Sequence, residues 1–95
     1  MTAGEDPPET IDLPIDGALD LHTFSPRDAK ELIPAYLDEC RARGIFSVRI
    51  IHGKGTGALR ETVHAILSRL PTVASFRLAD ENSGSWGATL LELKR

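Results

Sequence analysis

Two short alternating apolar segments separated by one amphipathic helix leave this chain little choice of architecture. From Ala18 to His22, Leu19 and Leu21 fall on one side and Asp20 and His22 on the other, as in a half-buried strand. Ser25-Pro26-Arg27-Asp28 then reads as a helix start, with a hydroxyl N-cap, proline at the first helical position and an acid in the first turn. Ala29, Leu32, Ile33, Tyr36, Leu37 and Cys40 recur at helical spacing, and Arg41, Arg43 and Gly44 mark the end. Phe46 to Ile51 is strand-like again. A strand, a helix and a strand at this spacing form a crossover, so the two strands should run parallel.

His52-Gly53-Lys54-Gly55-Thr56-Gly57 leads into a second amphipathic helix carrying Leu59, Val63, Ile66, Leu67 and Leu70, which Pro71 stops. Val73 to Ala79 and Ala88 to Leu93 read as third and fourth strands around a polar loop. Two helices cover only one face of such a sheet. The expected fold is therefore α/β, a two-layer sandwich of order β-α-β-α-β-β with a mixed four-stranded sheet. Leu19, Leu21, Phe46, Val48, Ile50, Phe76, Leu78, Leu91 and Leu93 would face the helices. Asp20, His22, Ser47, Arg49, Ser75, Arg77 and Glu92 would line an open, partly basic face.

The 95 residues suit one domain, taken as 15–95, behind an acidic and largely disordered arm at 1–14. The net charge of −3 is unevenly spread. Residues 1–20 hold six acids and no Lys or Arg, whereas the rest carry 11 basic and eight acidic residues, a net of +3. A mildly basic body is compatible with a polyanion ligand. The single Cys40 cannot form an internal disulfide and reads as core, and no cysteine cluster suggests zinc. With no signal-like start and no long apolar run, the expectation is a cytoplasmic monomer without a membrane partner.

His22 and His52 close the two parallel strands, which places them on one rim, the usual ligand side of an open α/β sheet. Both helix N-termini should face that rim and favour an anion, with Lys54 and Arg60 adding charge. The glycine-rich segment is neither the dinucleotide-binding fingerprint nor the P-loop, so it signals only an anion near a helix start, or a plain turn. Asp20 could equally pair with Arg49 across the open face, and His64 reads as surface.

The constellation says more than its parts. Leu19-Asp20-Leu21-His22, a helix, then His52-Gly53-Lys54-Gly55-Thr56-Gly57-Ala58-Leu59-Arg60 and a final Trp86-Gly87-Ala88-Thr89-Leu90-Leu91-Glu92-Leu93 resemble the Smr (small MutS-related) family, stand-alone bacterial type. The resemblance implies a fold similar to the C-terminal domain of translation initiation factor three. It also implies a nucleic-acid partner, because family members nick DNA or cleave RNA. Thr23 stands where many members carry glycine, and its side chain would narrow the approach to His22.

On this reading the chain binds structured DNA or RNA and acts as a phosphodiester endonuclease. Asp20, His22 and His52 would be catalytic, Asp20 orienting an imidazole and the histidines sharing acid–base work. Gly53, Lys54, Gly55, Thr56, Gly57 and Arg60 would hold phosphate, with Arg49 and Arg77 adding nucleic-acid contacts. No residue is assigned as a metal ligand, although a DNA substrate would favour Mg²⁺ or Mn²⁺. The alternative is a non-catalytic module that binds nucleic acid or recruits a protein.

Overall fold

Ser25 starts the first helix with a reciprocal cap, accepting from the Asp28 N–H while its own N–H donates to the Asp28 carboxylate. Helix α1 spans Pro26–Ala42 and continues through Pro34. Its buried side is Ala29, Ile33, Tyr36, Leu37 and Cys40, the stripe the spacing predicts. The computed structural model describes residues 15–53, 57–79 and 87–95. The acidic arm at 1–14, the phosphate-site candidates Lys54, Gly55 and Thr56, and Trp86 lie outside the described residues.

Strand β1 is Ala18–Asp20, β2 is Ser47–Ile51, helix α2 is Ala58–Arg69, β3 is Val73–Leu78 and β4 is Ala88–Leu93. The sheet order is β1-β2-β4-β3. β1 and β2 are parallel, as the crossover requires, and β4 runs antiparallel to both β2 and β3. This is the expected two-layer α/β sandwich with a mixed sheet.

Register decides what each face carries. Leu19, Ile50 and Thr89 form one cross-strand row, and Val48, Leu91 and Phe76 another. These rows meet Ile33, Leu37, Val63 and Leu67 of the helices in a single core. Tyr36 is fully buried, and its hydroxyl accepts the Gly17 N–H, tying α1 to the entry of β1. Leu78 departs from the expected core: it shares the helix-side row with Thr89 but is 37% exposed. β3 is an edge strand, and Leu78 lies at its far end.

On the other face Ala18, Arg49, Leu90 and Arg77 form one row, with Asp20 two residues along from Ala18. Asp20, Arg49 and Arg77 therefore share the face away from the helices. Among the described residues this face balances two arginines against Asp20 and Glu92, and Glu92 accepts the Ser47 hydroxyl. It is a polar platform with no net excess of positive charge.

Candidate phosphate cleft

β1 stops two residues before the sequence pattern does, because Asp20 captures the chain. Its Oδ1 accepts the His22 N–H at 3.0 Å and the His22 ring Nδ1–H at 2.6 Å. One carboxylate oxygen thus ends the strand and fixes the imidazole. The two side chains are 57% and 52% exposed, so the pair adds little stability. Its consequence is orientation: with Nδ1 tied to Asp20, Nε2 is the nitrogen left to exchange a proton. The hydrogen bond from the His22 ring holds the Asp20 carboxyl below its ordinary pKa. Asp20 pairs here with His22, within its own turn.

His22 lines a cleft of about 250 Å³. Phe24 and Pro26 border it on the α1 side, His52 and Gly53 at the end of β2, and Gly57 to Arg60 at the start of α2. The histidines that close the parallel strands therefore reach one cleft, as the topology predicts. Beside His22 the wall is Phe24, whereas Thr23 is exposed and not part of the lining.

The two helix N-termini differ. That of α1 is filled by its own Ser25–Asp28 cap and carries the Asp28 charge, so it offers no welcome to an anion. This corrects the expectation that both would serve. At α2 the N-cap position is Gly57, which has no side chain to close the end as Ser25 closes α1, and Ala58 to Arg60 of the first turn line the cleft. The Arg60 guanidinium folds back over Gly57, whose Cβ, if it had one, would lie 2.9 Å from Arg60 Nη2. A cation and the first turn of α2 therefore occupy the same wall.

Gly57 has a φ of +90°, which L side chains rarely adopt. The guanidinium can swing aside, so backbone strain dominates the cost of a side chain there. Gly57→Ala is expected to lower stability by about 1–2 kcal/mol. Urea unfolding of the two proteins measures it, and an unchanged midpoint would contradict the strain.

Gly53 contributes less directly than its place in a glycine-rich segment suggests. Its N–H and that of His52 both donate to the Gly87 carbonyl, at 2.8 and 2.9 Å. Neither amide is left for a phosphate.

His52 is only 5% exposed, and both ring nitrogens are engaged. Nδ1 lies 3.0 Å from the Gly53 carbonyl and Nε2 lies 2.9 Å from the Thr89 hydroxyl. The same hydroxyl lies 2.7 Å from His64 Nε2. Thr89 is fully buried in a row of apolar residues, where an unpaired hydroxyl costs roughly 1–3 kcal/mol, and the two histidines satisfy it. The His52 and His64 rings meet edge-on at 6.2 Å, and His64 leans on Phe76 at 5.1 Å. Burial pushes the pKa of both imidazoles below the ordinary histidine value. Arg60 adds to the effect on each, and His52 adds to it on His64.

Among the described residues no three His, Cys, Asp or Glu side chains converge to hold a metal ion. A hard divalent cation takes several oxygen donors; among the described residues that line the cleft there is no carboxylate, and Asp20 next to it is already bonded to His22.

The sequence model of the Smr domain matches residues 19–94, which include both histidines and all but the first residue of the sheet. The chain belongs to the Smr domain family. It is 42% identical over 76 residues to the endonuclease MutS2 of Halothermothrix orenii and 45% identical over 76 to that of Brevibacillus brevis. Each alignment covers 80% of this chain and 10% of the relative, so the chain spans about a tenth of the length of these curated relatives. Its fold is similar to the crystal structure of the Smr domain of Thermus thermophilus MutS2. That match has a TM-score of 0.79 and 35% identity, and covers 84% of this chain and all of the other. YdaL, a stand-alone small MutS-related protein from Escherichia coli, shares the fold with a TM-score of 0.70 at 22% identity, covering 83% of this chain and 65% of YdaL.

Within this Smr domain the sequence-predicted residues divide by place. Asp20, His22, His52, Gly53, Gly57 and Arg60 gather at the cleft, while Arg49 and Arg77 lie in the row across the open face. Sequence reasoning missed Thr89 and His64 beneath His52. Thr89 shares the strand parity of Leu91 and Leu93, so its place on the helix side was open to inference.

Proposed function

We propose that this Smr domain grips the backbone of structured DNA or RNA at the cleft and cuts a phosphodiester there. The observation that carries the reading is a histidine tethered at Nδ1 by a carboxylate, on the wall of a cleft that also holds the first turn of α2 and Arg60. The α2 N-terminus and Arg60 hold a phosphate, and Lys54 adds a second positive charge to its binding. His22 Nε2 removes the proton from the attacking oxygen and returns one to the leaving oxygen. In RNA the attacking group is the 2′-hydroxyl; in DNA it is water. Asp20 keeps His22 in the tautomer that presents a bare Nε2 and stabilises the imidazolium formed in the reaction. His52 supports the cleft wall, with Gly53 as the residue it holds.

The test is incubation of the purified chain with supercoiled plasmid and with structured RNA, each with and without EDTA. Nicking or strand scission that disappears in His22→Ala is the expected result. Arg60→Ala is expected to weaken binding and flatten its salt dependence, since one phosphate contact contributes a slope of about one. Scission that persists in His22→Ala would remove His22 from the chemistry.

A second reading rests on the open face. Arg49 and Arg77 flank Leu90 in one cross-strand row, two cations that could contact a nucleic-acid backbone without catalysis. Affinity lost in Arg77→Ala, with no scission of either substrate by the unmodified chain, favours that reading.

A further inference from the structure

The buried polar cluster beneath the cleft has a hydrogen-bond direction that can be worked out atom by atom. The Gly53 carbonyl can only accept, so the His52 Nδ1 facing it must carry the hydrogen. In the neutral ring Nε2 then bears the lone pair and needs a donor. The Thr89 hydroxyl is its partner, so that O–H points at His52. With its proton committed, the Thr89 oxygen accepts from His64 Nε2–H. The opposite polarity would set the His52 Nδ1 lone pair against a carbonyl oxygen 3.0 Å away.

From this chain we propose that His64 and Thr89 are positioning residues, holding His52 as the neutral Nδ1–H tautomer so that it pins the Gly53 carbonyl at the mouth of the glycine-rich loop. Three consequences agree with the geometry. Gly53 has a φ of +82°, and its peptide is fixed from both ends, its N–H on Gly87 and its carbonyl on His52. A carbonyl engaged by a buried ring does not turn its negative end toward an anion in the cleft. The groups around the rings also resist a second charge, because Arg60 stands near both and each histidine faces the other. The three histidines thus divide: His22, exposed and held by a carboxylate, exchanges protons, while His52 and His64 hold shape.

The assignment concerns the cleft of the proposed nuclease, but its test needs no nucleic acid, so the two can fail separately. Long-range ¹H–¹⁵N spectra of the full chain at mildly alkaline pH report each histidine's tautomer. Nδ1–H for His52 and Nε2–H for His64 are expected, although Nε2–H is the commoner form of a free neutral imidazole. Thr89→Val removes the donor to His52 while keeping the strand shape; Thr89→Ser keeps it. In Thr89→Val the Gly53 amide is expected to exchange at least about tenfold faster. Val48 and Leu91 should keep their protection, and Thr89→Ser should restore that of Gly53. An Nε2–H tautomer for His52 in the unmodified chain would overturn the proposal, and that measurement stands even if Thr89→Val does not fold. Unchanged Gly53 exchange, or equal acceleration of every core amide, would also overturn it.

Discussion

Replacing His22 by alanine is expected to lower the rate of phosphodiester cleavage by about 10²–10⁴-fold, the range for removing a general acid or base. Binding should change little, because the proposed phosphate ligands are the α2 N-terminus and Arg60 rather than this ring. The loss should therefore fall on kcat and leave KM nearly unchanged. Asp20→Asn is the sharper companion. The amide keeps the size of the carboxylate and can still bond to the ring, but it has no charge with which to stabilise the imidazolium. Its rate should lie between those of the unmodified chain and His22→Ala. If Asp20→Asn were as active as the unmodified chain, the 2.6 Å contact between Asp20 and His22 would be a strand-end turn and nothing more.

Much of this site could be read before any coordinates because strand parity and helix caps are local. Asp20 and His22 are two apart, so one face holds both. Ser25 with Asp28 announces its own capped helix. The end of β1 was harder: alternation through Leu21 and His22 continues the pattern, whereas the Asp20 carboxylate bends the chain away. Strand order is another matter, since β4 inserts between β2 and β3 through pairings that no local signal encodes. His64 read as surface because it sits beside the apolar stripe of α2. It is half-buried because β4 places the Thr89 hydroxyl against it, and that contact spans 25 residues of chain. A threonine at a core-parity position is a signal that some distant polar partner must exist, but it does not say which.

The same pair of buried imidazoles sets the other large expectation, which is loss of stability in mild acid. Burial favours the neutral form of His52 and His64, so in the folded chain both take up protons at lower pH than in the unfolded chain. Above about pH 6.5 the rings are neutral in both states and cost nothing. Below it the unfolded chain gains protons that the folded chain refuses, and stability falls by up to about 1.4 kcal/mol per pH unit for each histidine. With both acting, the slope approaches about 2.7 kcal/mol per pH unit, until the folded pKa values are reached and the curve flattens. The Asp20 carboxyl, held down by its hydrogen bond with His22, acts in a separate and more acidic window, below the ordinary carboxylate range. Urea unfolding at steps from about pH 7.5 to 5 measures the slope, and His64→Gln should halve it by leaving one buried imidazole. Stability that stayed level across that range would mean that the folded chain admits protons to these rings as readily as water does.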